Sequence, residues 1–172
     1  MARTILVDAH NALFRLWPDP PRNGEAVRRA VVVRAKDALR ATGLTDARVH
    51  LVFDTAERGR TLAGTHGRDG PVSWSYATGS ADEEIVRLVR QHEGRDADGP
   101  LTVVTDDREL RGRASQLGAR VVRVHDWFDA KAPEVARGTP GSGPRTGPPL
   151  TPADFGLTDA PIDLLRTDPD DL

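Results

Sequence analysis

Short apolar runs alternating with amphipathic stretches predict an α/β fold, with a mainly parallel central sheet and a flexible C-terminal tail. Three observations carry this. The apolar runs are continuous and rich in β-branched residues, the pattern of strands buried on both faces. The stretches between them are long enough for right-handed helical crossovers. Eight of the 13 prolines fall after residue 128, where apolar patterning fades.

Thr4-Ile5-Leu6-Val7 is the first strand. From Glu25 to Ala41, Val27, Ala30, Val31, Ala35, Ala38 and Leu39 form a helical stripe, and Gly43 stops it. Val49-His50-Leu51-Val52-Phe53 is a second strand, and the alternating Pro71–Tyr76 segment is a weaker one nearer an edge. Ser80-Ala81-Asp82-Glu83 reads as a capping box opening a helix with Ile85, Val86, Leu88 and Val89. Leu101–Thr105 is a further buried strand. A helix from about Asp107 to Leu117 stops at Gly118, and Arg120–Val124 is the last strand. Phe14 and Trp17 follow the first strand at helical spacing and read as core residues.

The chain divides into a core over 1–128, a Pro/Gly-rich linker over 129–150 and an acidic tail over 151–172. The linker cannot bury enough apolar surface to offset its ordering entropy. The overall charge of −2 hides this split: the first 128 residues carry +2 and the remainder −4. The tail is therefore a candidate docking segment, either for a protein partner or for the basic face of its own core. The 172 residues contain no cysteine, which excludes a disulfide scaffold, a Cys-ligated zinc and a thiol nucleophile. No apolar run approaches the ~18 residues of a membrane span. The first apolar stretch is too short for a signal peptide. A soluble, cytoplasmic protein is the expectation.

The acidic residues fall where such a fold builds sites, outside the carboxyl ends of the strands. Asp8 follows the first strand, Asp54 the second, and Asp106 and Asp107 the strand ending at Thr105. Asp82 and Glu83 open a helix. Each has a structural reading as a turn former or helix cap. Together they deliver carboxylates from four segments to one edge. Their mutual repulsion would be relieved by Mg2+ or Mn2+, which favour oxygen ligands. Such a site suits in-line displacement at a phosphodiester. The candidate metal ligands are Asp8, Asp82, Asp107, Asp106 and Glu83, although Asp106 reads first as a helix cap and Glu83 is accounted for by the capping box. Asn11 is placed to orient a water or a carboxylate. The Gly- and Arg-rich segment from Glu57 to Arg68 reads as a loop at the mouth of this edge. It is either a mobile solvated loop or a phosphate-contacting arm.

Ile5-Leu6-Val7-Asp8-Ala9-His10-Asn11 resembles the opening hydrophobic-Asp-Gly-x-Asn motif of NYN domains, part of the PIN-like nuclease group. Val52-Phe53-Asp54 resembles that group's second acidic strand end. Thr78-Gly79-Ser80-Ala81-Asp82-Glu83-Glu84-Ile85 is similar to the helix start of its YacP-like branch, and Val103-Val104-Thr105-Asp106-Asp107-Arg108 to its last block. The four occur in family order and span the core.

The resemblance implies a PIN-like three-layer sandwich over 1–128 and a metal-dependent endoribonuclease leaving a 5′-phosphate. Asp8, Asn11, Asp82 and Asp107 match the family's site residues, with Asp54 as an acidic neighbour. Arg58, Arg60, Arg68, Arg108 and His10 would contact the phosphates of RNA. Asp106 occupies the usual Ser position. Ala9 replaces a Gly and would be strained if the backbone there has positive φ. An alternative reading is a non-catalytic RNA- or ribosome-binding module that keeps the fold. A phosphatase of small esters is a weaker third reading. His10 stands where a phosphatase of the haloacid dehalogenase type needs its second Asp.

Overall fold

The computed structural model describes residues 2–55, 62, 64–93 and 99–130. The expected linker and tail beyond Ala130, and Arg58 and Arg60, lie outside these residues.

The elements run β1 (Thr4–Asp8), α1 (Ala9–Leu16), α2 (Gly24–Thr42), β2 (Arg48–Phe53), β3 (His66–Asp69), β4 (Val72–Tyr76), α3 (Ala81–Glu93), β5 (Leu101–Val104), α4 (Arg108–Gln116), β6 (Arg120–Val122) and α5 (Val124–Phe128). The sheet order is β3-β4-β2-β1-β5-β6, and all pairs are parallel except β3 with β4. The chain steps outward from β1 through β2 to β4 and then returns to the other side at β5. The direction of crossover thus reverses at β1, and the carboxyl ends of β1 and β5 diverge around a crevice.

Period-two alternation sorts the strand residues onto two faces. Ile5, Val7, Val49, Leu51, Phe53, Val72 and Val104 pack under α1, α2 and α5 with Leu13, Val31, Trp127 and Phe128. Leu6, Val52 and Val103 face α3 and α4 with Ile85, Val86, Val89 and Leu110. This is the expected three-layer α/β sandwich.

Four local features differ from the sequence reading. His66–Asp69, read inside a loop, is an edge strand turning at Gly70 (φ +60°) into β4. Its residues are too polar to register as a strand, and only Asp69-Gly70 signals the hairpin. Within it, Gly67 lies against the Trp74 ring, where a side chain would collide. Second, the last strand ends at Val122 and a short helix starts at Val124, whose N–H donates to the Asp106 carboxylate at 3.2 Å. Third, Phe14 is not core: it is 60% exposed, while Trp17 packs at the margin of the larger face. Fourth, Ala9 is the fully buried first residue of α1, and among the described residues none other than glycine has positive φ. The expected strain at Ala9 therefore does not arise. Trp74 and Tyr76 pack within the fold: Arg28 lies 5.1 Å from the Trp74 ring centroid, and Tyr76 stacks on Phe53.

Candidate functional site

The carboxyl ends of β1, β2 and β5 each run into an acidic residue that ties down a helix start. Asp8 is buried, and its Oδ1 accepts the Asn11 N–H at 3.2 Å, capping α1. Asp54 Oδ2 accepts the Ala81 N–H at 3.3 Å, at the start of α3. Asp107 caps α4, accepting the Leu110 N–H at 2.8 Å. Ser80 accepts the Glu83 N–H at 3.2 Å, but the Glu83 carboxylate turns to Arg113 instead of back to the cap, so only half of the expected capping box forms. The capping roles read from the sequence and the gathering of charge are thus the same geometry. Helix N-termini are where carboxylates are best tolerated, because the unpaired N–H groups and the macrodipole both favour negative charge.

That tolerance is incomplete. Burial pushes the Asp8 carboxyl up to about 6; the Asn11 N–H bond pulls it partly back, and the charges of Asp82 and Asp107 push it further. Asp82, in the first turn of α3, is raised by burial and by Asp107, with Arg113 opposing and Asp54 and Glu109 adding. Asp8, Asp82 and Asp107 therefore lie within electrostatic reach of one another, and among the described residues none of the three is in an ion pair.

Two polar links hold it in shape. Thr105, fully buried, donates its hydroxyl to Asp8 Oδ2 at 3.2 Å and accepts the Asp107 N–H at 3.1 Å. The Asn11 side-chain oxygen accepts the Asp106 N–H at 2.8 Å, tying α1 to the end of β5. Thr105 was not singled out in the sequence. Its only signal is a hydroxyl at the last strand position before two aspartates.

The remaining candidates take other roles around the group or lie away from it. Both Asp106 oxygens are engaged, one by the Val124 N–H and the other by Arg15 Nε at 3.1 Å. Asp106 thus caps α5 rather than the helix it precedes. Glu83 is exposed and bonds Arg113 at 2.8 Å, which holds its carboxyl below the usual range. Arg68 sits on the outer edge strand opposite Ser73. His10 turns inward: its Nδ1 accepts the Asp54 N–H at 2.9 Å, and its ring meets Phe53 edge-on. Arg108 opens α4 beside Asp107.

The donor set has the chemistry of a hard-cation site, since it is all oxygen and anionic. Among the described residues no three acidic or histidine side chains form a ready-made cage. Mg2+ and Mn2+ usually keep several waters and take few direct carboxylates, so a looser group still fits them.

The family model of the YacP-like NYN domain matches residues 5–130. Among solved structures, the chain is similar to a crystal structure of Rae1 (YacP) from Bacillus subtilis carrying a tryptophan-to-leucine mutation. That alignment has 23% identity and a TM-score of 0.53, and covers 75% of this chain and 74% of that one. The same Bacillus protein without that mutation aligns at 22% identity and TM-score 0.51, covering 73% and 71%. At such identities the likeness is one of fold. The chain matches no curated protein.

Proposed function

The chain belongs to the YacP-like NYN domain family, and we propose that its nuclease-type domain is a metal-dependent endoribonuclease. The observation that supports this most is the convergence of Asp8, Asp82 and Asp107 from three elements at the crossover reversal of the sheet. Fold stability does not call for such a group, because like charges at a half-buried edge are unfavourable.

Asp8, Asp82 and Asp107 would hold Mg2+ or Mn2+. The cation supplies charge neutralisation and activation of a water for in-line attack on an RNA phosphodiester. Around it the chain's own residues do the positioning. Thr105 fixes Asp8 relative to Asp107, and Asn11 locks the ends of β1 and β5 together. Asp54 anchors the start of α3 and thereby sets the placement of Asp82. Arg108, next to Asp107, contacts a phosphate of the bound strand. The product carries a 5′-phosphate. RNA is the substrate partner, in the cytoplasm and in association with the ribosome. The linker and acidic tail over 129–172 serve as a docking segment.

The test is cleavage of a single-stranded RNA with Mg2+ or Mn2+, by the full chain and by Asp8→Asn and Asp82→Asn. Cleavage that needs the cation and is lost in both variants supports the reading. Activity that survives EDTA, or that both variants retain, defeats it. RNA binding without turnover would select the non-catalytic RNA- or ribosome-binding module instead.

A further inference from the structure

Beyond Asn11, on the far side of Asp106, the surface opens into a groove lined by Arg15, Asp106, Arg108, Arg111, Gly112 and Arg123. Four guanidiniums there face one carboxylate, in a core whose net charge is only +2. Arg15 is paired with Asp106. Among the described residues no carboxylate lies within ion-pair distance of Arg108, Arg111 or Arg123. The Arg111 Nε–H is buried and has no hydrogen-bond partner. An unsatisfied buried donor on a charged group is costly, and the guanidiniums that line the groove favour anionic oxygen partners.

The floor of the groove has its own pattern. Arg108, Arg111, Gly112 and Ser115 are spaced i, i+3, i+4 and i+7, so one face of α4 is wholly polar or bare. Glycine is a poor helix former. A Cβ at Gly112 would meet nothing within 4 Å, so packing does not require glycine there. It leaves the helix backbone low and open between arginines. The groove also begins one residue from Asp107, and Asp106 joins its wall to Asn11 through the 2.8 Å bond.

The geometry points to an RNA-strand subsite: the groove holds the phosphodiester backbone flanking the scissile bond, through Arg108, Arg111 and Arg123. This rests on the nuclease reading above and extends it to the path of the substrate. Guanidinium forks match phosphate oxygens bidentately. A groove continuous with the carboxylate group suits a strand that passes from one to the other. Contacts of this kind position the strand without reading its sequence.

The test is fluorescence-anisotropy titration of a labelled single-stranded oligoribonucleotide, in EDTA and at several salt concentrations. Full-length wild type is compared with Arg108→Ala, Arg123→Ala, Gly112→Glu and a distant surface control, Arg29→Ala on α2. Each groove arginine removed should weaken binding about tenfold and lower the salt slope by about 1. Gly112→Glu, which places a carboxylate among the arginines, should weaken it more, and Arg29→Ala should bind as wild type does. Circular dichroism melts check folding, and the two exposed-arginine variants carry the test if Gly112→Glu fails to fold. Wild-type affinity or an unchanged salt slope in both arginine variants overturns the inference. So does wild-type protein that takes poly-glutamate but no RNA. Cleavage with Mn2+ separates the two levels. Groove-dependent binding without cleavage keeps the subsite and removes the nuclease reading. Cleavage with groove-independent binding does the reverse.

Discussion

On one side of Asn11 Asp8, Asp82 and Asp107 lie within electrostatic reach of one another, with no ion pair among the described residues; on the other, four guanidiniums line a groove with a single carboxylate, which Arg15 alone pairs. The two regions meet at Asp106, whose N–H bonds Asn11 and whose side chain is taken by Arg15 and α5. That seam keeps the opposite charges from cancelling. On the acidic side, compensation comes from helix N-termini at Asp8, Asp54 and Asp107 rather than from arginines. Arg113, a guanidinium that lowers Asp82, is bonded to Glu83. A protein selected only for stability would pair these groups. Keeping them apart leaves each side able to bind something of opposite sign.

The largest expected effect comes from neutralising the acidic side. Asp8→Asn and Asp82→Asn should each lower RNA cleavage by on the order of a hundredfold or more. RNA affinity in EDTA should hold or improve, because the proposed strand contacts lie in the other region. Metal-free Asp8→Asn should also be more stable than wild type by about 1–3 kcal/mol, seen as a higher melting temperature. It removes a buried charge already pushed up to about 6. A lower melting temperature in EDTA would mean that Asp8 is a well-compensated structural cap, and the contrast between the regions would disappear.

Next comes the link that holds the acidic side together. Thr105→Val keeps the shape but removes a donor to Asp8 and leaves the Asp107 N–H unsatisfied. A stability loss of about 1–3 kcal/mol follows. Turnover should fall while RNA affinity in EDTA stays, and Thr105→Ser should restore both stability and turnover. Equal damage to binding would show that the two regions are not independent.

These residues also mark how far the sequence could be read. Apolar runs and strand-end aspartates were legible because period, burial and topology all constrain them locally. Thr105 was not, since its role depends on two residues 97 positions apart in sequence bonding through one hydroxyl. Nor was most of the arginine groove. Arg15, Arg111 and Arg123 come from three elements and look like ordinary surface charge until β6 and α5 fold back beside α4. Phe14 fits a helical stripe by spacing, yet α1 is only eight residues long and turns that position outward. Asp106 and Asp107 are adjacent and chemically equal; only the fold sends one to α4 and the other to α5.

A third, smaller effect tests whether acid sensitivity belongs to the site or to the fold. His50 lies in β2, away from both regions, with Nδ1 on Ser73 and Nε2 on Ser75, each at 2.8 Å. Burial lowers its pKa, opposed by Glu84. The unfolded chain therefore takes up this proton first. Stability is full above the ordinary value of 6.5 and falls as pH drops below it, until the folded ring also protonates. The slope is at most about 1.4 kcal/mol per pH unit. It should be measured by thermal melts in EDTA in the Asp8→Asn background, where the opposing slope of that carboxyl is absent. His50→Asn in the same background should flatten it. A slope that persists would come from other groups, among them Asp129, held low by His125 and Arg34, and Glu84, held low by Arg87.

The smallest effect bears on the basic side alone. Gly112→Ala adds a methyl group where nothing lies within 4 Å and replaces a poor helix former with the best one. The protein should gain about 0.5–1 kcal/mol, seen as a higher melting temperature. Affinity for the oligoribonucleotide should fall between that of wild type and that of Gly112→Glu. This pair of results separates two reasons for a glycine in the middle of α4. If stability rises and affinity is untouched, the bare backbone contributes nothing to binding, and the groove acts through its arginines only. If stability rises while affinity falls, the strand passes close over the helix, and the open floor belongs to the same surface as the guanidiniums.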